Sequence, residues 1–197
     1  MINILRKILK LRFRFDLPDS KKILLFDEMH STILREIIKK DFNILKVRDD
    51  KEIYFWILLR QIIVLDFKFI TYCKNYIRYT APKVVITFID NDIQFYKLKN
   101  SFKDINFISI QNGHRFENYS MFRDKKYTRY NKLKCDHTFV FNKYYIKEYK
   151  KIINSNFHIL GSFKNNLVRI NKSSNKNDFL LISQYSKTGD GNKNFQI

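Results

Sequence analysis

Glycine and proline are scarce in this chain. Four glycines and two prolines stand among 197 residues, where average usage gives about 14 and 10. No GxGxxG, GxxxxGK[ST] or GxSxG occurs, which removes the dinucleotide fingerprint, the phosphate-binding P-loop and the nucleophile elbow. The one Gly-x-Gly, at Gly189 and Gly191, stands in polar sequence. Cysteine is equally sparse: Cys73 and Cys135 form no CxxC, and both are expected to be reduced thiols in a cytosolic protein. His30, His137 and His158 lack metal-ligand spacing to Cys, Asp or Glu, and HExxH is absent, so no metal centre is expected. The apolar runs fall far short of the roughly 20 residues a membrane span needs. Residues 1–15 are basic throughout and have no clean apolar stretch, which argues against a cleaved signal peptide.

What is abundant is positive charge. Lys and Arg number 38 against 19 Asp and Glu, a formal net charge of +19. Such a balance points to nucleic acid or an anionic membrane. A second cause competes. Ala81 is the only alanine, while Lys, Asn, Ile, Phe and Tyr abound, and these are the residues of A/T-rich codons. The basic residues are scattered and match no nucleic-acid module, so nucleic acid is not the expected partner. The segment 1–20 stands apart. Ile4, Leu5, Ile8 and Leu9 share a helical face beside Arg6, Lys7 and Lys10, and Arg12-Phe13-Arg14-Phe15 alternates. One reading is peripheral contact with an anionic membrane, where each basic residue adds about 1 kcal/mol. The other is a segment docked on its own domain.

Hydrophobic residues make up 45% of the chain, and their pattern is a repeated strand-then-helix alternation. Strands are expected over residues 22–29, 42–47, 83–89, 106–110, 137–141 and 156–160. Helices are expected from 31, where Ser31 is the expected cap, across most of 52–79, over 92–100 and over 143–153. Ala81-Pro82 closes the long helical segment. Short connections between these elements are those of βα units. The expected fold is therefore α/β, a Rossmann-like, mostly parallel sheet flanked by helices, over residues 21–165. Residues 166–177 read as a linker rich in Asn, Ser and Lys, and 178–197 as the beginning of a truncated second domain, since one strand cannot bury itself.

Open α/β sheets bind ligands beyond the carboxyl ends of their strands. Polar residues gather there: Asp27 to His30, Asp90 to Asp92, Gln111 to Arg115, Asn142-Lys143 and Gly161-Ser162. Asp90 and Asp92 are candidate general bases, because a partly desolvated carboxylate titrates higher than usual; capping of the next helix is the competing role. In Gln111-Asn112-Gly113-His114-Arg115, Gly113 permits a tight turn, Arg115 suits a phosphate or sugar acid, and His114 suits proton transfer near neutral pH.

The runs PKVVITFIDN (82–91), FISIQNG (107–113), FVF (139–141) with YYIKEY (144–149), HILGSFKNN (158–166) and ISQY (182–185) resemble bacterial surface carbohydrate biosynthesis proteins. Those are similar to two-domain glycosyltransferases of the GT-B type and to the glycerophosphotransferases of teichoic acid synthesis. The resemblance implies the N-terminal, acceptor-side half of such an enzyme. It also implies a nucleotide-sugar donor held mainly by a C-terminal domain, a saccharide or lipid-linked acceptor, and no other cofactor. On this reading Asp90 or His114 is the base, and Asp92, Gln111, Asn112, Gly113, Arg115 and Ser162 bind substrate. The chain alone is expected to be inactive, and to reside in the cytoplasm or at the inner face of the plasma membrane. A polyol-phosphate transferase, a sugar-nucleotide epimerase and a non-enzymatic basic module remain open alternatives.

Overall fold

The computed structural model describes residues 12–48, 52–63, 65–114 and 132–165. The expectations for residues 1–11, the linker 166–177 and the segment 178–197 fall outside them. Six strands form one sheet: β2 (Ile23–Phe26), β3 (Asn43–Leu45), β5 (Val84–Thr87), β6 (Asn106–Ile110), β7 (Leu133–Val140) and β8 (Ile153–Ile159). Their spatial order is β3-β2-β5-β6-β7-β8, and every neighbouring pair is parallel. The expected α/β class with a parallel sheet is what the chain adopts. The order reverses once, between β2 and β5.

Parallel pairing requires a crossover between strands, and helices supply each crossover that the described residues contain. They are α1 (Ser31–Ile38), α2 (Phe55–Ile63), α3 (Phe69–Thr80), α4 (Ile93–Lys99) and α5 (Lys143–Tyr149). Strand side chains alternate between faces, and two cores result. Leu24, Phe26, Val85, Phe107, Val140 and Ile153 pack with Ile57, Tyr76, Phe95 and Tyr149 on one side. Leu25, Ile86 and Ile110 pack with Leu34, Phe42 and Phe88 on the other. Burial pushes the Tyr72 and Tyr76 phenols well above their ordinary range, so both stay neutral. Tyr72 uses its oxygen to accept the Tyr54 backbone N–H at 3.0 Å. Burial likewise pushes the Cys135 thiol up to about 11, and Cys73 is buried and unbridged.

Four expectations are corrected. The stretch 52–79 is not one helical segment. It opens with β4 (Glu52–Tyr54), which pairs in parallel with β1 (Arg12–Arg14) in a separate two-stranded sheet. It then breaks between α2 and α3, where Leu65 is left-handed at φ 51°. Gln61 fixes that break by donating to the carbonyls of Asp66 and Lys68, at 2.9 and 3.0 Å. Ser31 is not the cap of α1. His30 holds that position, left-handed and without a side-chain capping bond, while the Asp27 carboxylate accepts the Met29 N–H at 3.1 Å. The last two strands begin earlier than expected, β7 at Leu133 and β8 at Ile153. Their polar starts, KCD and NSN, hid an extended backbone that pairs across a register shift between Lys134 and His137.

Phe107 is fully buried against Phe95 and Phe102 in the larger core. Phe107→Ala is expected to destabilise the fold by about 3–5 kcal/mol, read as a lowered urea midpoint. An unchanged midpoint would show that this core does not hold the sheet.

Candidate functional site

The carboxyl ends of β2, β5 and β6 meet where the strand order reverses, the place where open α/β sheets form a crevice. Thr87 ties two of these ends together. Its hydroxyl donates to the Phe26 carbonyl at 3.2 Å and accepts the Ile89 N–H at 3.0 Å. Just past β5, Asp90 is fully buried. One carboxylate oxygen accepts the Asn112 N–H at 3.3 Å, and the other accepts the Tyr149 hydroxyl. The Asp90 carbonyl accepts the Tyr96 hydroxyl at 2.7 Å, and Tyr96 also meets the Ser109 hydroxyl at 2.9 Å. A buried carboxylate persists only when donors replace its water, and here α5 and the turn after β6 provide them.

Gln111 is buried and bonded on every side. Its amide nitrogen donates to the Gly113 carbonyl and its amide oxygen accepts the Phe141 N–H, both at 2.9 Å. It shapes the turn that carries Asn112, Gly113 and His114. Among the described residues, a Cβ at Gly113 would meet nothing within 4 Å. Asn112 then reaches across to β2. Its amide oxygen lies 2.7 Å from His30 Nε2, and its amide nitrogen 2.9 Å from Met29 Sδ. His30 sits edge-on to Phe88, with ring centroids 5.4 Å apart.

A narrow cleft joins His30, Asn112 and Phe88 to Ser162, Phe163 and Lys164. Phe163 packs on Phe88 with centroids 5.0 Å apart, and the gap is too tight for a water molecule. Gly161, left-handed at φ 75°, precedes the segment that closes it. A ligand enters only if that segment shifts. The Ser162 hydroxyl accepts the Asn165 N–H at 3.4 Å.

Asp92 caps α4 by accepting the Gln94 N–H at 2.8 Å. Burial raises its carboxyl above the usual range, against the pull of the Gln94 bond and Arg48, with Asp27 adding repulsion. Arg48 donates to both oxygens of Asp27, at 3.0 and 3.2 Å. Asp27 is itself left-handed at φ 79°, a backbone state that short polar side chains tolerate. His114 is exposed, and its Nδ1 is hydrogen-bonded to the Tyr145 hydroxyl on α5. Arg115 lies outside the described residues.

Of the sequence candidates, Gln111, Asn112 and Ser162 line one cleft, Gly113 accepts a hydrogen bond from Gln111 in the adjoining turn, and Asp90 is buried and tied to that turn through the Asn112 N–H. The structure puts Asp92 beside the Asp27–Arg48 pair and His114 against α5. Sequence reasoning gave no role to His30, Arg48, Tyr149 or Lys164. The DEMH run had marked His30 as a rim residue. Nothing in the sequence linked Tyr149, on the inner face of α5, to Asp90. Among the described residues, no three His, Cys, Asp or Glu side chains converge in a way that could hold a metal ion.

Fold and rim define an α/β protein with its crevice at a topological switch point. Residues 108–196 match a family model described as "putative O-antigen biosynthesis protein", a match that takes in the cleft's Asn112 and Ser162 and supports a role in surface carbohydrate biosynthesis. Searches of curated proteins and of solved structures found no match.

Two substitutions test this geometry. Tyr149→Phe removes one donor to a buried carboxylate and should cost about 1–3 kcal/mol, whereas Tyr144→Phe, on the exposed side of α5, should leave the denaturation midpoint unchanged. Equal effects would show that the Asp90 bond carries no stability. For Asp92 the sign follows from its raised folded-state pKa. Stability is full below the ordinary value of 3.8 and falls as pH rises through the raised one. Asn keeps the cap, so Asp92→Asn should gain stability relative to the native chain at pH 7 and not at pH 3. The same difference at both would refute the burial argument.

Proposed function

We propose that this chain is the acceptor-side part of a GT-B-like glycosyltransferase in surface polysaccharide biosynthesis, with His30 as its general base. The observation that carries the reading is the His30–Asn112 pair. The Asn112 amide nitrogen faces Met29 Sδ and its oxygen faces His30 Nε2, an arrangement that favours the proton on Nε2. The lone pair is then on Nδ1. A ring nitrogen left with its lone pair toward the cleft is suited to act as a general base. The Asp90 carboxylate bonds to the Asn112 backbone N–H. In this reading Asp90 is a positioning residue, one step removed from the acceptor.

In the reaction, His30 accepts the proton of an acceptor hydroxyl. The freed oxygen forms a bond to the anomeric carbon of a nucleotide-activated sugar. The bond from that carbon to the phosphate oxygen breaks, and its electron pair leaves with the nucleotide. Lys164, on the cleft wall, offers positive charge to the phosphate, a form of electrostatic stabilisation. Ser162 and Asn112 offer hydrogen bonds to sugar hydroxyls. The family match over residues 108–196 and the position of the cleft at the switch point support this reading.

The test is imidazole NMR of the chain titrated with acceptor saccharides and nucleotide sugars, joined to a transfer assay of the longer two-domain protein of which the proposal makes this chain a part. His30 should show the Nε2-protonated tautomer and shift on adding an acceptor. In the assay, His30→Ala should lower transfer about 10²–10⁴-fold. A panel that leaves the His30 signals unmoved, or His30→Ala transferring sugar at the native rate, would overturn the proposal.

A further inference from the structure

We propose that the face built from β1, α2 and the turn before α3 docks on an anionic phospholipid bilayer. Large apolar side chains that the cores leave in solvent concentrate there. Phe15, Trp56, Ile63, Leu65 and Phe67 are 69%, 50%, 76%, 77% and 68% exposed. Four of them fall between positions 56 and 67, and Phe15 lies against the start of that stretch. The Trp56 indole donates to the Phe15 carbonyl at 2.7 Å, and Phe15 packs on Phe55 with centroids 5.5 Å apart. Trp56, Arg60 and Ile63 recur at helical spacing along one stripe of α2, about 10 Å long. The opposite stripe, Ile57 and Gln61, is buried.

The turn that extends the stripe is held outward at some cost. Leu65 is left-handed at φ 51°, a conformation that is strained for a bulky residue. The two bonds from Gln61 to the Asp66 and Lys68 carbonyls maintain it. A strained turn that presents leucine and phenylalanine to water needs a partner. Isolated exposed hydrophobes do not, but a contiguous set marks an interaction surface.

Charge identifies that partner. Arg12, Arg60 and Lys68 are exposed and form no salt bridge among the described residues, while the carboxylates of this face are engaged locally, Asp16 with Arg14 and Asp66 with Thr71 and the Lys68 N–H. The chain as a whole carries +19. Aromatic and aliphatic side chains edged by cations match the boundary of an anionic bilayer, where Trp and Phe enter the headgroup layer and Arg and Lys meet phosphate. A second copy of this chain fits poorly, because it would set the same cations against one another.

The position is also consistent. α3 ends at Ala81, next to the start of β5, and Ser20, just ahead of β2, bonds to the Thr80 carbonyl at 2.8 Å. α3 therefore runs toward the amino end of the sheet. The turn before it lies toward the carboxyl end, the end that carries the cleft. On the proposed function, which this last point rests on, docking brings the cleft near a lipid-linked acceptor.

Trp56 is the only tryptophan in the chain, so the native protein reports on this face directly. Vesicles of phosphatidylcholine containing phosphatidylglycerol should shift its fluorescence to the blue, and brominated lipid should quench it. Vesicles of phosphatidylcholine alone should do neither. Arg60→Gln should weaken binding about fivefold. The double change Leu65→Ser and Phe67→Ser, at exposed positions outside both cores, should weaken it roughly tenfold or more. Three outcomes would overturn the proposal. One is no binding to either vesicle; another is co-sedimentation with unchanged Trp56 fluorescence, which would place the attachment elsewhere. The third is a lipid-free dimer that shifts the fluorescence by itself. None of these readouts involves a saccharide, so failure here leaves the transferase reading standing, and the reverse holds.

Discussion

A carboxylate with no access to water must find its solvation inside the protein, and Asp90 does so through two separate parts of the chain. Its oxygens hold the backbone of Asn112, after β6, and the hydroxyl of Tyr149, at the end of α5. Its own carbonyl holds Tyr96 on α4. An unpaired carboxylate in such a place would cost several kcal/mol. The bonds thus act as a constraint: α4, α5 and the turn after β6 take up one mutual arrangement or the charge is left bare. The cleft inherits its geometry from that requirement. Asn112 is fixed by Asp90, His30 by Asn112, and Gln111 keeps the intervening turn closed on β7.

Much of the fold was legible because it is written in local pattern. The six sheet strands of KILLF, FNIL, VVIT, NFISI, HTFVF and NFHI type stand out as short apolar runs between polar turns, and burial on both faces of a parallel sheet demands such runs. What was not legible depends on distant partners. β4 has only three residues, and it is a strand because β1, far earlier in the chain, lies beside it. The break before α3 depends on one glutamine turning back onto two carbonyls. The rim residues could be placed, since strand ends are marked by Asp, Asn and Gly. Their roles could not, because the difference between an exposed base and a buried tether lies in a tyrosine on another helix.

The rim also shows why charge at a strand end is ambiguous. Asp27, Asp90 and Asp92 all follow buried strands, yet one bonds an arginine, one is sealed in the core and one caps a helix. Each use satisfies backbone or side-chain donors that the turn leaves over. The imidazole of His30, at the start of α1 across the seam, meets a single side-chain amide, so it keeps a nitrogen for other chemistry.

The order of the strands bears on how the chain folds as it is synthesised. Parallel neighbours cannot form hairpins, so no pair in this sheet closes through a tight local turn. β2 leaves the ribosome first and pairs with β3, but its other edge waits for β5, whose partner residues Val84, Val85 and Ile86 lie far along the chain. From that point the sheet grows in one direction only. β6, β7 and β8 each add to the outer edge in the order of their synthesis. The seam between β2 and β5 is thus the most non-local pairing in the sheet, the kind whose closure slows folding, and the crevice at the reversal point lies where those two strands meet.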